Sequence, residues 1–125
     1  PSPRNLENAG LAYQKIQSFE KSESFYLQCA EVSSKPKCFN SLSVLYFELE
    51  QFEKGEAITT KAIKAGHKTL IFYKMRCFFR IQTRQMELAQ EDYREAEKLF
   101  IQSDSKIPDP ILMNLAEMLQ ITPEW

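Results

Sequence analysis

The segment Phe19-Glu20-Lys21-Ser22-Glu23 returns 33 residues later as Phe52-Glu53-Lys54-Gly55-Glu56, and Met86-Glu87-Leu88-Ala89-Gln90 echoes it weakly after another 34. A fixed period in this range marks a chain built from like units, none of which can bury its apolar face alone. Such units stack side by side and present long concave surfaces rather than enclosed catalytic pockets. The repeat therefore constrains the fold and the class of function together.

At 125 residues the chain is long enough for one compact domain with a sizeable core and too short for two. Its 43% hydrophobic and 26% charged residues are those of an ordinary globular protein. Only Gly10, Gly55 and Gly66 are glycines, which excludes a glycine-rich phosphate loop. Sixteen basic against 17 acidic side chains leave a net charge of −1, which argues against nucleic acid as a partner. Cys29, Cys38 and Cys77 are odd in number and form no C-x-x-C pair, so neither a disulfide framework nor a zinc site is suggested. All three fall in apolar helical patterns and read as reduced, buried thiols, which favours a reducing compartment, cytoplasmic or nuclear. No apolar run approaches the ~18 residues of a membrane span, no signal peptide opens the chain, and no membrane partner is expected. A start at Pro1 without methionine reads as a domain cut from a longer protein.

Apolar residues recur at three- and four-residue spacing nearly throughout, the signature of amphipathic helices. The spacing predicts helices from about Arg4 to Ile16, Glu20 to Val32, Lys37 to Leu49, Glu53 to Ala65, Thr69 to Gln82 and Met86 to Ile101. Pro36 stops the second, and Gly66 is a candidate left-handed cap for the fourth. Asp109 is placed to cap a seventh helix that begins with Pro110 and ends before Pro123. Connections of a few residues force neighbours to run antiparallel, giving three helical hairpins and a last helix.

At this period residues 3–102 resemble the tetratricopeptide repeat family. That family places small residues where two helices cross closely and large ones where they interlock. Gly10, Tyr13, Ser22, Tyr26 and Cys29 fill those slots in the first hairpin. Leu42, Ser43, Tyr46, Gly55, Thr59 and Ala62 fill them in the second, and Cys77, Ala89, Tyr93 and Ala96 in the third. Arg76 and Arg80 depart from the pattern, standing where leucine and tyrosine are usual. The resemblance implies an all-α fold: a right-handed α-α superhelix of three helical hairpins (3–35, 36–69, 70–103) closed by a capping helix at 109–122, all one domain. Ile111, Leu112, Leu115, Ala116, Met118 and Leu119 are the apolar residues of that last helix, and three repeats followed by it also look like the C-terminal module of the large immunophilin co-chaperones.

The resemblance further implies a non-catalytic scaffold for a protein or peptide partner, needing no cofactor or metal. Its groove would be lined by the first helix of each hairpin: Arg4, Glu7, Leu11 and Gln14; Asn40, Val44, Phe47 and Glu48; Lys74, Met75, Phe78 and Ile81. The apolar members suit a partly apolar peptide or helix, with Phe78 as an anchor and Asn40 and Lys74 setting specificity. Chaperone-binding members grip a C-terminal carboxylate with basic and asparagine side chains, for which charge-assisted hydrogen bonds are suited. The corresponding slots hold Glu7, Leu11, Ser41, Ile71 and Met75, none of the required type. A co-chaperone module docking a heat-shock chaperone tail is therefore the alternative reading.

Other constellations carry less. His67 is the only histidine and follows Gly66 in a loop, and no cysteine has a histidine partner, so an enzyme is not indicated. Glu87, Glu91, Asp92, Glu95 and Glu97 interleave with Arg94 and Lys98 and read as a solvated helix face. Arg76, Arg80 and Arg84 at i, i+4, i+8 form a stripe that would contact RNA or an acidic partner if exposed; the contrary reading packs their stems across the hairpin with the charges in water. Met113, Met118 and Trp125 are candidate contacts of a homodimer through the last helix.

Overall fold

The chain folds into seven helices: α1 (Pro3–Lys15), α2 (Phe19–Val32), α3 (Lys37–Glu48), α4 (Phe52–Lys64), α5 (Leu70–Gln82), α6 (Met86–Gln102) and α7 (Pro110–Leu119). The computed structural model describes residues 1–125, and every expected helix falls within a few residues of its predicted span. Two compact units result, Pro1–Glu50 and Gln51–Trp125.

Local chemistry sets the ends. Ser2 accepts from the Asn5 N–H in front of α1, whose first residue is Pro3. Asp109 accepts from the N–H groups of Ile111 and Leu112, capping α7 as expected. Gly66 takes φ +103° after α4, a conformation open to glycine and strained for other residues. The three tight turns share a left-handed middle residue: Gln17 (φ 63°), Glu50 (φ 55°) and Arg84 (φ 66°). Their spacings of 33 and 34 match the sequence period, so the repeat is a repeat of turn geometry as well as of side chains. Gln120, also left-handed at φ 55°, ends α7 ahead of Pro123.

In the first unit α2 packs between α1 and α3 around Leu6, Tyr26, Leu42, Leu45 and Tyr46. The Ser22 hydroxyl donates to the Gly10 carbonyl at 2.8 Å, which is possible only because the helices cross in near-backbone contact. A β-carbon on Gly10 would lie 2.6 Å from the Tyr26 ring. In the second unit α5 lies against α4, α6 and α7, and Phe72, Cys77, Phe79, Tyr93, Leu112 and Leu115 are buried almost completely. Gly55 on α4 meets the Phe79 ring, where a β-carbon would come within 2.5 Å. Gly55→Ala gains about 1 kcal/mol of helix propensity. The clash with a fully buried ring outweighs it, so a net loss of about 1–3 kcal/mol is expected by urea denaturation.

One expectation fails here. Cys29 at the end of α2 and Cys38 at the start of α3 are joined as a disulfide, with Cα atoms 6.0 Å apart. The Ser33–Pro36 bend folds the chain back so that residues nine apart in sequence face each other. Only Cys77 remains a thiol, and it is fully buried. Burial and the nearby Asp92 push its pKa up to about 12. Three free thiols can therefore no longer be invoked for a reducing compartment.

Candidate functional site

Within residues 1–50, α1 and α3 run parallel because each is antiparallel to α2 between them. Two polar contacts bridge them. Lys37 meets Glu7 at 3.4 Å, and Gln14 donates to Glu48 at 3.3 Å. Between these two rungs lie Leu11 and Val44, 44% and 36% exposed. The structure thus brings Glu7, Leu11, Gln14, Val44 and Glu48 onto one face. Phe47, 49% exposed, lies beside Glu48 on α3. Arg4 is exposed and lines, with Glu7, Lys37 and the disulfide, an open cleft of about 690 Å³ at the N-terminal ends of α1 and α3. Asn40 is half-buried, and its Oδ1 is enclosed without a hydrogen-bond partner.

Tyr26 belongs to this face although it comes from α2 and stands outside the groove register. Its ring is core, but its hydroxyl donates to Gln14 Oε1 at 2.8 Å and so reaches the α1–α3 furrow. Burial first, then the charges of Glu7 and Glu48, raise its pKa. The interlocking-aromatic slot could be read from sequence; which way its polar tip emerges could not.

In residues 51–125 the expected lining residues are differently engaged. Lys74 is not free to set specificity: it donates to Asp109 at 2.7 Å, with 15% and 11% of the two side chains exposed. Phe78 stands edge-on to Phe52 (5.8 Å) and Phe79 (6.0 Å), so much of its surface is spent on intramolecular packing. Met75 and Ile81 are half-buried, and Ile71 is 46% exposed. Burial alone would raise the Asp109 carboxyl, but Lys74 and the Leu112 and Ile111 N–H groups more than offset that and hold it below its ordinary 3.8. A depressed carboxylate contributes stability above its ordinary value and loses it as pH falls through the native one. Docking of α7 is therefore expected to weaken below pH 3.8, and Asp109→Asn to flatten that acid limb in a pH series of thermal melts.

The basic stripe is also corrected. Asp92, only 2% exposed, takes Arg76 in a bidentate grip (Nη2 at 2.7 Å, Nε at 3.0 Å) and Arg80 Nη1 at 2.9 Å. Arg80 Nε also donates to Glu56 at 3.0 Å, and Gln85 donates to the other Glu56 oxygen at 2.8 Å. The guanidinium groups are tied down beside Tyr73 rather than standing in water, and of the three arginines only Arg84 is exposed. The acidic face of α6 needs the same revision. Asp92 and Glu97 are buried, because with Ala89, Tyr93, Ala96 and Phe100 they occupy the inward stripe at three- and four-residue spacing. That spacing was available in the sequence. Glu97 is satisfied by the Tyr93 hydroxyl, Arg94 and the Glu124 N–H. Trp125 is not a free dimer contact either: its ring meets Phe100 at 5.0 Å and its Nε1 donates to Tyr93 at 3.1 Å.

Comparison with known proteins agrees with this architecture. The Tetratricopeptide repeat family matches residues 3–36. Among solved structures, the Arabidopsis OM64 TPR domain superposes with a TM-score of 0.76 at 20% identity, over 95% of this chain and 94% of that one. The first TPR of Spaghetti (RPAP3), solved with the HSP90 peptide SRMEEVD, gives 0.77 at 19% identity over 95% and 91%. The Sgt2 TPR domain of Aspergillus fumigatus gives 0.74 at 15% identity over 94% and 76%. No curated protein sequence matches the chain. The chain therefore has the tetratricopeptide-repeat fold, and its residues 3–36 match the model of that family by sequence as well.

Proposed function

We propose that this chain is a non-catalytic protein-interaction module that takes a partly apolar peptide on the inner faces of its first-of-hairpin helices. The observation that carries the reading is the Leu11–Val44 window, open to solvent and bracketed by two polar rungs. Isolated exposed apolar side chains are ordinary, but apolar residues contributed by two helices to one face favour a binding role. Arg4, Glu7, Asn40 and Phe47 border that window in the first unit; Met75, Phe78 and Ile81 are the counterparts offered by α5 in the second.

A chaperone-tail reading draws support from the RPAP3 neighbour, whose bound peptide is acidic. Against it, the slots that would grip a carboxylate here are Glu7, Leu11, Ser41, Ile71 and Met75. RNA binding has little left to stand on once Arg76 and Arg80 are committed to Asp92. To test the main reading, peptides enriched from a random display library against the whole chain would be re-measured on Leu11→Glu and Val44→Glu variants. Both positions are exposed, so folding should survive, and an affinity loss of about tenfold or more is expected. Unchanged affinity with native circular dichroism would refute the assignment.

A further inference from the structure

The inner face of residues 1–50 is electrically polarised along its length. At the N-terminal ends of α1 and α3 stand Arg4 and Lys37, both exposed and both lining the 690 Å³ cleft. The positive ends of α1 and α3 add to them, offset in part by the negative end of α2, which lines the same cleft. At the other end Glu48 is exposed and is met only by the neutral Gln14 amide, at 3.3 Å. Here the negative ends of α1 and α3 reinforce the carboxylate, offset in part by the positive end of α2. Glu7 does not cancel this gradient. It is 15% exposed and pairs with Lys37 at 3.4 Å, so one carboxylate stands against the three cations Arg4, Lys35 and Lys37 that line the cleft.

The dimensions select the occupant. On α1 the rungs stand at Glu7 and Gln14, two helical turns apart, which is about 10 Å at about 1.5 Å of rise per residue. An extended peptide covers that length in about three residues. A helix of the same length would bring about seven residues and a body about 10 Å across onto an apolar patch of only two side chains, Leu11 and Val44. Resting on the proposed peptide-binding role, we infer that this face selects an extended peptide of mixed charge: an acidic residue held by Arg4 and Lys37, an apolar residue on Leu11 and Val44, and a lysine or arginine held by Glu48, with the charged groups about three residues apart. This preference differs from that for a uniformly acidic tail.

The test uses four end-capped, fluorescently labelled heptapeptides and the whole chain, read by anisotropy at low and moderate salt. Two are mixed: Glu-Glu-Leu-Phe-Leu-Lys-Lys and its reverse. Two are uniform, with glutamate or with lysine at both ends. At least one mixed peptide is expected to bind about tenfold tighter than either uniform one, an advantage that shrinks with salt. Glu48→Lys should move the preference to the all-glutamate peptide. A wild-type chain that binds a uniform peptide as tightly as the mixed ones, or a Glu48→Lys variant that keeps the wild-type order, overturns the inference. If the uniform peptide still loses affinity on Val44→Glu, the peptide-binding reading stands and only the polarity falls. If no peptide binds, both fall.

Discussion

Asp92→Ala is expected to lower the free energy of unfolding by about 3–5 kcal/mol. The carboxylate is 2% exposed and is the shared partner of Arg76 and Arg80, whose side chains are 14% and 13% exposed. Removing it leaves two guanidinium groups facing each other in a largely dry site, a desolvation penalty with no compensating attraction. Glu56 continues to hold Arg80, but Arg76 keeps only a long contact to Thr60 at 3.4 Å and the Tyr73 face. Urea denaturation followed by Trp125 fluorescence reads the effect in the same unit, since that indole packs on Phe100 of α6. A triple variant, Asp92→Leu with Arg76→Met and Arg80→Met, should recover most of the loss, because apolar replacement of a buried ionic cluster is often neutral or better. A loss below about 1 kcal/mol for Asp92→Ala would mean that the cluster is solvated, and would return the two arginines to the surface.

Removing the Cys29–Cys38 bridge, by reduction or by a double alanine substitution, is expected to cost about 2.5–3 kcal/mol, the loop-closure entropy of a ring of about ten residues. The loss bears on the candidate face directly, because the bridge ties α3, which carries Val44 and Glu48, to α2 and walls the Arg4–Lys37 cleft. Thiol counting tests the premise. The native chain should react with no thiol reagent, since Cys77 is buried with its pKa pushed up to about 12. Denaturation without reductant should release one reactive thiol and denaturation with reductant three. Three thiols without reductant would show the bridge absent and remove the predicted loss.

The crossing points were legible before any coordinates because small residues recur at them with the period of the chain. Gly10, Ser22 and Gly55 are small where helices touch. The register that the family resemblance implies assigns Leu11 and Val44 to the candidate face, and both are exposed. Individual charge pairings follow no such period and were not legible. Lys74 is 35 residues from Asp109, and Arg76 is 16 from Asp92, so only packing could reveal that their charges are used inside the fold.

Periodicity and small residues thus determined, from sequence by itself, that the chain forms paired helices: close crossings need small residues at recurring positions. Tertiary structure alone decided which charges remain for a partner. A salt bridge or a disulfide depends on two side chains meeting across different helices, and that meeting commits Arg76, Arg80 and Lys74 to the fold while leaving Arg4, Lys37 and Glu48 at the surface.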